Sequence, residues 1–141
     1  MAAATAGRDA KEQPGTVVSY PLAASTTIYK GTLVAVNAAG YLLSISDAAN
    51  LIFVGVAEDT INNSSGAAGD KSARVRKDGT FEFVYAGGNA TQANVGDVVN
   101  AQDNQTVDED AALTTNDYPV GVVAEFVSAS LLRVRIDGYT K

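Results

Sequence analysis

The sequence predicts an all-β protein: a single compact β-barrel or β-sandwich-like domain built from two similar halves and preceded by an extended N-terminal arm. Three observations lead there. A phrase occurs twice in the same order, as Gly31-Thr32-Leu33-Val34-Ala35-Val36, Val54-Gly55-Val56-Ala57-Glu58 and Arg74-Val75-Arg76-Lys77-Asp78-Gly79, and again as Gly96-Asp97-Val98-Val99-Asn100-Ala101, Val120-Gly121-Val122-Val123-Ala124-Glu125 and Arg133-Val134-Arg135-Ile136-Asp137-Gly138. Short β-branched runs alternate with turn residues throughout. No stretch keeps the apolar period of an amphipathic helix over a useful length.

The spacing supports duplication: Gly31 to Gly55 is 24 positions and Gly96 to Gly121 is 25. The later gap varies, 20 positions from Gly55 to Val75 against 13 from Gly121 to Val134, and the longer one holds the loop-like Asn62-Asn63-Ser64-Ser65-Gly66-Ala67-Ala68-Gly69. Repeats of about 31–79 and 96–138 therefore predict two half-sheets related by a pseudo-twofold axis that bury their apolar faces against each other, with Gly31 on Gly96, Gly55 on Gly121 and Val75 on Val134.

In chain order, residues 1–15 hold small and charged residues without hydrophobic period and end at Pro14-Gly15, which reads as a flexible arm before a β domain over 16–141. Thr16-Val17-Val18-Ser19-Tyr20 has strand composition, and Pro21 confines it to an edge or to pairing with a neighbour. Strands are expected near 33–36, 41–46 and 52–57, with a tight loop at Asn37-Ala38-Ala39-Gly40. The glycine within Val54-Gly55-Val56 signals a bulge or a close packing approach. In residues 72–77 the two arginines share one strand face, and Asp78-Gly79 is expected to turn as a hairpin into 80–85, where Phe81, Phe83 and Tyr85 share a face. The stretch 102–117 is acidic, and Tyr118-Pro119 opens the second Val-Gly-Val strand.

Composition narrows function. At 141 residues the chain can bury a genuine core. It has no cysteine, histidine or tryptophan, so disulfides are excluded and an enzyme would have to rely on carboxylates, Lys, Tyr or Ser. A net charge of −6 argues against nucleic-acid binding by phosphate neutralisation. No apolar run is long enough to span a bilayer as a helix, and residues 1–10 lack the apolar centre of a secretory signal, so synthesis in the cytoplasm is expected, with no membrane partner and no cofactor.

Candidate contact residues are the pairs Arg74/Arg76 and Arg133/Arg135, which could fork onto a partner's carboxylates or pair internally with acids such as Glu82 or Glu125, together with Val17, Val18 and Tyr20 of the edge segment. Asp108-Glu109-Asp110 lacks the glycine and alternation of a calcium loop and reads as a solvated turn. Glu58, Glu82 and Glu125 could supply a carboxylate pair, but Glu58 and Glu125 end equivalent strands, which favours structure over catalysis. The Phe81, Phe83 and Tyr85 face reads as core or subunit contact before it reads as a sugar-stacking platform.

From Pro14-Gly15-Thr16-Val17 to Arg133-Val134-Arg135, the chain resembles the small capsid cement, or decoration, proteins of tailed bacteriophages. These show an early Pro-Gly, a Gly-Asp before a Val-rich strand, Val-Gly-Val-Ala strands and a closing run of alternating Arg and Val. Lys77-Asp78-Gly79-Thr80-Phe81 is similar to the Lys-x-Gly-Thr-Phe segment in decoration proteins of lambda-like phages. The resemblance implies a non-enzymatic, homotrimeric β protein that binds the major capsid protein on the outer surface of the virion head and reinforces it against DNA pressure. The alternative function is a virion-displayed binding module, either a carbohydrate-binding or a head-fibre base domain.

Overall fold

A computed structural model describes residues 3–109 and 114–136. Among the described residues, strand-forming runs give twelve strands: β1 (Val17–Pro21), β2 (Thr26–Ile28), β3 (Leu33–Val36), β4 (Leu42–Ser44), β5 (Ile52–Ala57), β6 (Ile61–Asn63), β7 (Ser72–Arg76), β8 (Thr80–Tyr85), β9 (Val98–Ala101), β10 (Thr106–Asp108), β11 (Pro119–Ser128) and β12 (Leu131–Arg135). Two single 3-10 turns, Ala86–Gly88 and Gln92–Asn94, follow β8. The fold is all-β, as the patterning predicts, and the two halves are alike.

Each half closes on itself. The first is a five-stranded sheet in the order β1-β7-β5-β3-β4, whose outer strands meet at a parallel bridge between Leu22 and Leu42. The second is a closed barrel in the order β8-β12-β11-β9-β10, completed where Val84 and Tyr85 run parallel to Thr106 and Val107. The seam of the first half is the same feature in shorter form: Leu22 takes the place of Tyr85, and Leu42 that of Val107.

The registers agree strand by strand. Val34 lies opposite Gly55 as Val99 lies opposite Gly121, and both ladders then slip by one residue, to Ala35 opposite Phe53 and Asn100 opposite Pro119. Val56 and Ala57 pair with Arg76 and Val75 as Val122 and Val123 pair with Arg135 and Val134. Gly31 N donates to Ala57 O at 2.8 Å, and Gly96 N donates to Val123 O at 2.9 Å. The three expected superpositions of Gly31 on Gly96, Gly55 on Gly121 and Val75 on Val134 therefore hold in the hydrogen bonding.

Four expectations need correction. Asp78-Gly79 does not close a hairpin, because β7 pairs with β1 and β5 while β8 pairs with β12 and β10; it is the connection between the halves. The repeating unit thus begins a strand earlier than the glycine landmarks, with β1 and β8 as counterparts (Val17 opposite Arg76, Thr80 opposite Arg135). Glu58 is not the counterpart of Glu125: in register Ala57 matches Val123, so Glu58 matches Ala124 and Asp59 matches Glu125. The loop-like stretch Asn62 to Gly69 is not all loop: Asn62 and Asn63 end β6, which pairs with β2 as a two-stranded ribbon (Thr26 opposite Asn63, Ile28 opposite Ile61).

Alternation along the strands fills the interiors. On β7 Ala73 and Val75 are buried while Arg74 is exposed, the period-2 pattern of a strand with one wet face. Leu22, Val34, Leu42, Val54, Ala73 and Val75 fill the first barrel, with Ile28 of the ribbon packed among them. Phe83, Tyr85, Val99, Val107, Val120, Leu132 and Val134 fill the second. The outward residues Leu33, Ala35, Phe53 and Val56 of the first barrel join this second cluster, so one outer face of the first barrel is covered by the second half of the chain.

Closure depends on two glycines. A Cβ on Gly55 would lie 2.1 Å from Arg76 O, and one on Gly121 would lie 2.1 Å from Arg135 O, so in both halves the strand backbones approach too closely for any side chain. Gly55 in addition has φ of +140°, a conformation that L residues rarely adopt. Gly55→Val and Gly121→Val are each expected to destabilise the protein by about 3 kcal/mol through overpacking, with Gly55→Val the more severe, as measured by denaturant unfolding.

Candidate functional site

The candidate contact arginines all lie on outward strand positions, and each half builds an ion-paired face from them. On the first barrel Arg74 forks onto Asp59, with Nε to Oδ2 at 3.0 Å and Nη2 to Oδ1 at 2.8 Å, and its backbone N donates to Oδ2 at 3.1 Å. Arg76 donates through Nε to Glu58 Oε1 at 2.7 Å and through Nη2 to the same oxygen. On the second barrel Arg133 bridges two acids, Glu82 through Nη2 and Glu125 through Nη1 at 2.9 Å. Arg135 is exposed beside Val122, Val123 and Ala124, where it lines a shallow hollow. The guanidinium groups of Arg74, Arg76 and Arg133 thus face carboxylates of their own chain, the internal alternative that the strand pattern left open.

These pairs shift protonation. The Arg74 guanidinium and its backbone N–H hold the Asp59 carboxyl down to about 2, and the carboxylates of Glu82 and Glu125 push Arg133 further up. Sequence reasoning named Glu82 and Glu125 as partners and missed Asp59. A one-residue offset in the alignment of the two halves hid its equivalence to Glu125.

Val17, Val18 and Tyr20 share β1 but not a direction. Val18 lies opposite Val75, and Tyr20 packs against the first core, so both point inward. Tyr20 also accepts a hydrogen bond from Lys77 Nζ at 2.8 Å, with that ammonium 5.2 Å from its ring centre. Val17 opposes Arg76 on the outer face, half-buried where the exposed residues 3–15 join the body. The aromatic residues of β8 face the interior of the second barrel: Phe83 and Tyr85 are buried, and Phe81 packs against them half-buried. Burial, with the charges of Asp108 and Glu109 nearby, pushes the Tyr85 hydroxyl up to about 12. This face is core.

The junction between the halves was not legible beforehand. Asp47, just beyond β4, accepts from the backbone N–H groups of Thr115 at 2.8 Å and Asn116 at 2.7 Å, and from Asn116 Nδ2 at 3.1 Å. These bonds hold its carboxyl below the ordinary range. The Tyr118 hydroxyl donates to Ala48 O and accepts from Leu51 N at 3.3 Å, and Leu33 N donates to Asn104 O at 2.8 Å. Asp47 carries no motif, and only its place in the fold brings it to residues nearly seventy positions away.

Among the described residues no group of three or more His, Cys, Asp or Glu side chains is placed to share a metal ion. Asp108 is buried on β10, Glu109 accepts from Asn94 Nδ2 at 3.0 Å, and Asp110 lies outside the described residues. Glu58 and Glu125 sit on the outer faces of different barrels, each against an arginine. No helix among the described residues is long and apolar enough to cross a membrane. No family model, curated protein or solved structure matches the chain.

The shifted carboxylates predict an acid-limited fold. A carboxyl whose pKa is depressed on folding adds stability that is present above its unfolded value and is lost as pH falls through the folded one. For Asp59 that window runs from its ordinary 3.8 down to about 2. Asp59→Asn is expected to lower the melting temperature at neutral pH and to flatten the loss of stability across that window. Thermal unfolding of both forms over the acid range checks it.

Proposed function

We propose that this protein is a non-enzymatic cement protein of a tailed-phage head, bound as a homotrimer to the major capsid protein on the outer surface of the virion. The observation that carries the reading is an exposed arm on a closed body. Residues 3–15 are exposed, without helix or strand, and lead directly into β1, while in the body the second ladder closes as a barrel and the first joins its outer ends at the Leu22–Leu42 bridge. Adhesion needs this division: a body that keeps its shape and a segment with unpaired backbone groups to lay along a neighbour. The Pro14-Gly15 break separates the two, and the twice-occurring Gly, Val-Gly-Val and Arg-Val-Arg phrases carry the family resemblance.

The internal ion pairs refine where adhesion acts. Arg74, Arg76 and Arg133 already hold carboxylates, so a partner's acid would have to displace one of the chain's own. Capsid contact therefore falls to the arm, to Val17 at its root and to exposed apolar positions. Three arms on one trimer act at high effective concentration once the first is seated, so weak single contacts hold firmly together.

Heating filled heads with and without the bound protein tests this reading, with DNA release expected at a higher temperature when it is present. Release at the same temperature in both overturns it. Deleting residues 1–13 is expected to leave the melting temperature of the free protein nearly unchanged while co-sedimentation with heads falls steeply; equal binding by the truncated form assigns adhesion to the body instead.

A further inference from the structure

The two barrels carry the same outer face, but only one copy is covered. On the first barrel that face is Leu33, Ala35, Phe53 and Val56, all at 4% exposure or less. The register assigns their counterparts on the second barrel as Val98, Asn100, Pro119 and Val122. Val98 is 42% exposed and Pro119 is exposed, while Val122, with Ala124 and Arg135, lines an open hollow.

The covering surface can be followed in the same way. The second barrel meets the first through Asn104 in the β9–β10 turn and through Thr115, Asn116 and Tyr118 before β11. By register the counterparts on the first barrel are Ala39 in the β3–β4 turn, Ala49 and Asn50 before β5 and Ile52 at its start, all exposed, with Ile52 at 49%. Were the halves related by a twofold, this edge would cover the Val98 face within the chain. It does not, so the internal contact is head-to-tail and leaves one unfilled surface of each kind.

We propose that the β9–β11 face around Val98 and Val122 binds the Ile52 edge of a second copy of this chain, repeating between molecules the contact that joins the barrels within one. The two surfaces are complementary because they are relatives of surfaces that already fit. Apolar Ile52, Ala49 and Ala39 meet apolar Val98, Pro119 and Val122, and two of the largest exposed hydrophobic side chains are accounted for together. The bond from Leu33 N to Asn104 O has its counterpart between Val98 N of one copy and Ala39 O of the next. A head-to-tail contact gives a ring of chains where its rotation closes and an open filament where it does not; the proposal takes the ring. The proposal specifies a surface for the oligomer and rests on the duplication, not on the capsid reading.

The test uses the free full-length protein, so its failure leaves the head-heating experiment to decide the function separately. By light scattering after size exclusion, the wild type is expected as an oligomer of discrete mass, and Val98→Asp and Ile52→Asp each as a monomer. Mixing the two variants is the diagnostic step: each keeps one intact surface, so together they are expected to form a one-to-one dimer and nothing larger. The mixed dimer also shows that both variants are folded. A wild type that stays monomeric at its highest soluble concentration, variants that still oligomerise, or a mixture without dimer overturns the proposal.

Discussion

The structure depends on two places where a strand backbone lies against its neighbour with no room for a Cβ. At Gly55 and Gly121 the ladder slips by a residue, the strand bends, and its carbon passes close to the carbonyl of Arg76 or Arg135. A bulge of this sort increases local twist and coils a sheet. Five short strands need that coiling to bring first and last together, and each half succeeds, at Leu22 with Leu42 and at Tyr85 with Val107. Everything outside the barrels hangs on this closure. The ribbon of β2 and β6 is laid on the first, the arm leaves from β1, and the arginines stand on the outer faces of β7 and β12.

What the sequence makes legible follows from periodicity. Glycine and valine landmarks recur because both halves need the same bulge and the same interior, so duplication, strand class and the shared face of the arginines could all be read directly. The Asp78-Gly79 turn misleads for a local reason: that dipeptide favours a hairpin wherever it lies between strands, and only long-range pairing shows that β7 and β8 belong to different barrels. The Asp59 to Arg74 fork was hidden by matching the Ala-Glu phrases one residue out of register. The Asp47 clasp had no signal at all, since a lone acid between Ser46 and Ala48-Ala49 has the look of any loop.

The two halves have diverged by position more than by plan. Inward positions stay apolar in both, with Val34 matched by Val99 and Val75 by Val134. Outward positions change with what covers them: Phe53 becomes Pro119 and Ala35 becomes Asn100, as expected where a face passes from full burial to partial exposure. Val56 and Val122 remain valine across that change. The pattern explains how one chain, −6 in net charge, keeps a solvated exterior while retaining apolar surface at defined places.

The order of the barrels along the chain has a consequence for synthesis. Residues 17–76 contain every strand of the first barrel, so it can close while the second is still being made. Leu33, Ala35, Phe53 and Val56 are then bare, because the residues that cover them come later in the chain. For that interval the nascent chain exposes apolar surface that the finished fold buries, and neighbouring ribosomes on one message hold identical copies close by. Translation speed through residues 80–135 therefore governs how long these surfaces stay uncovered, and with it the yield of soluble protein.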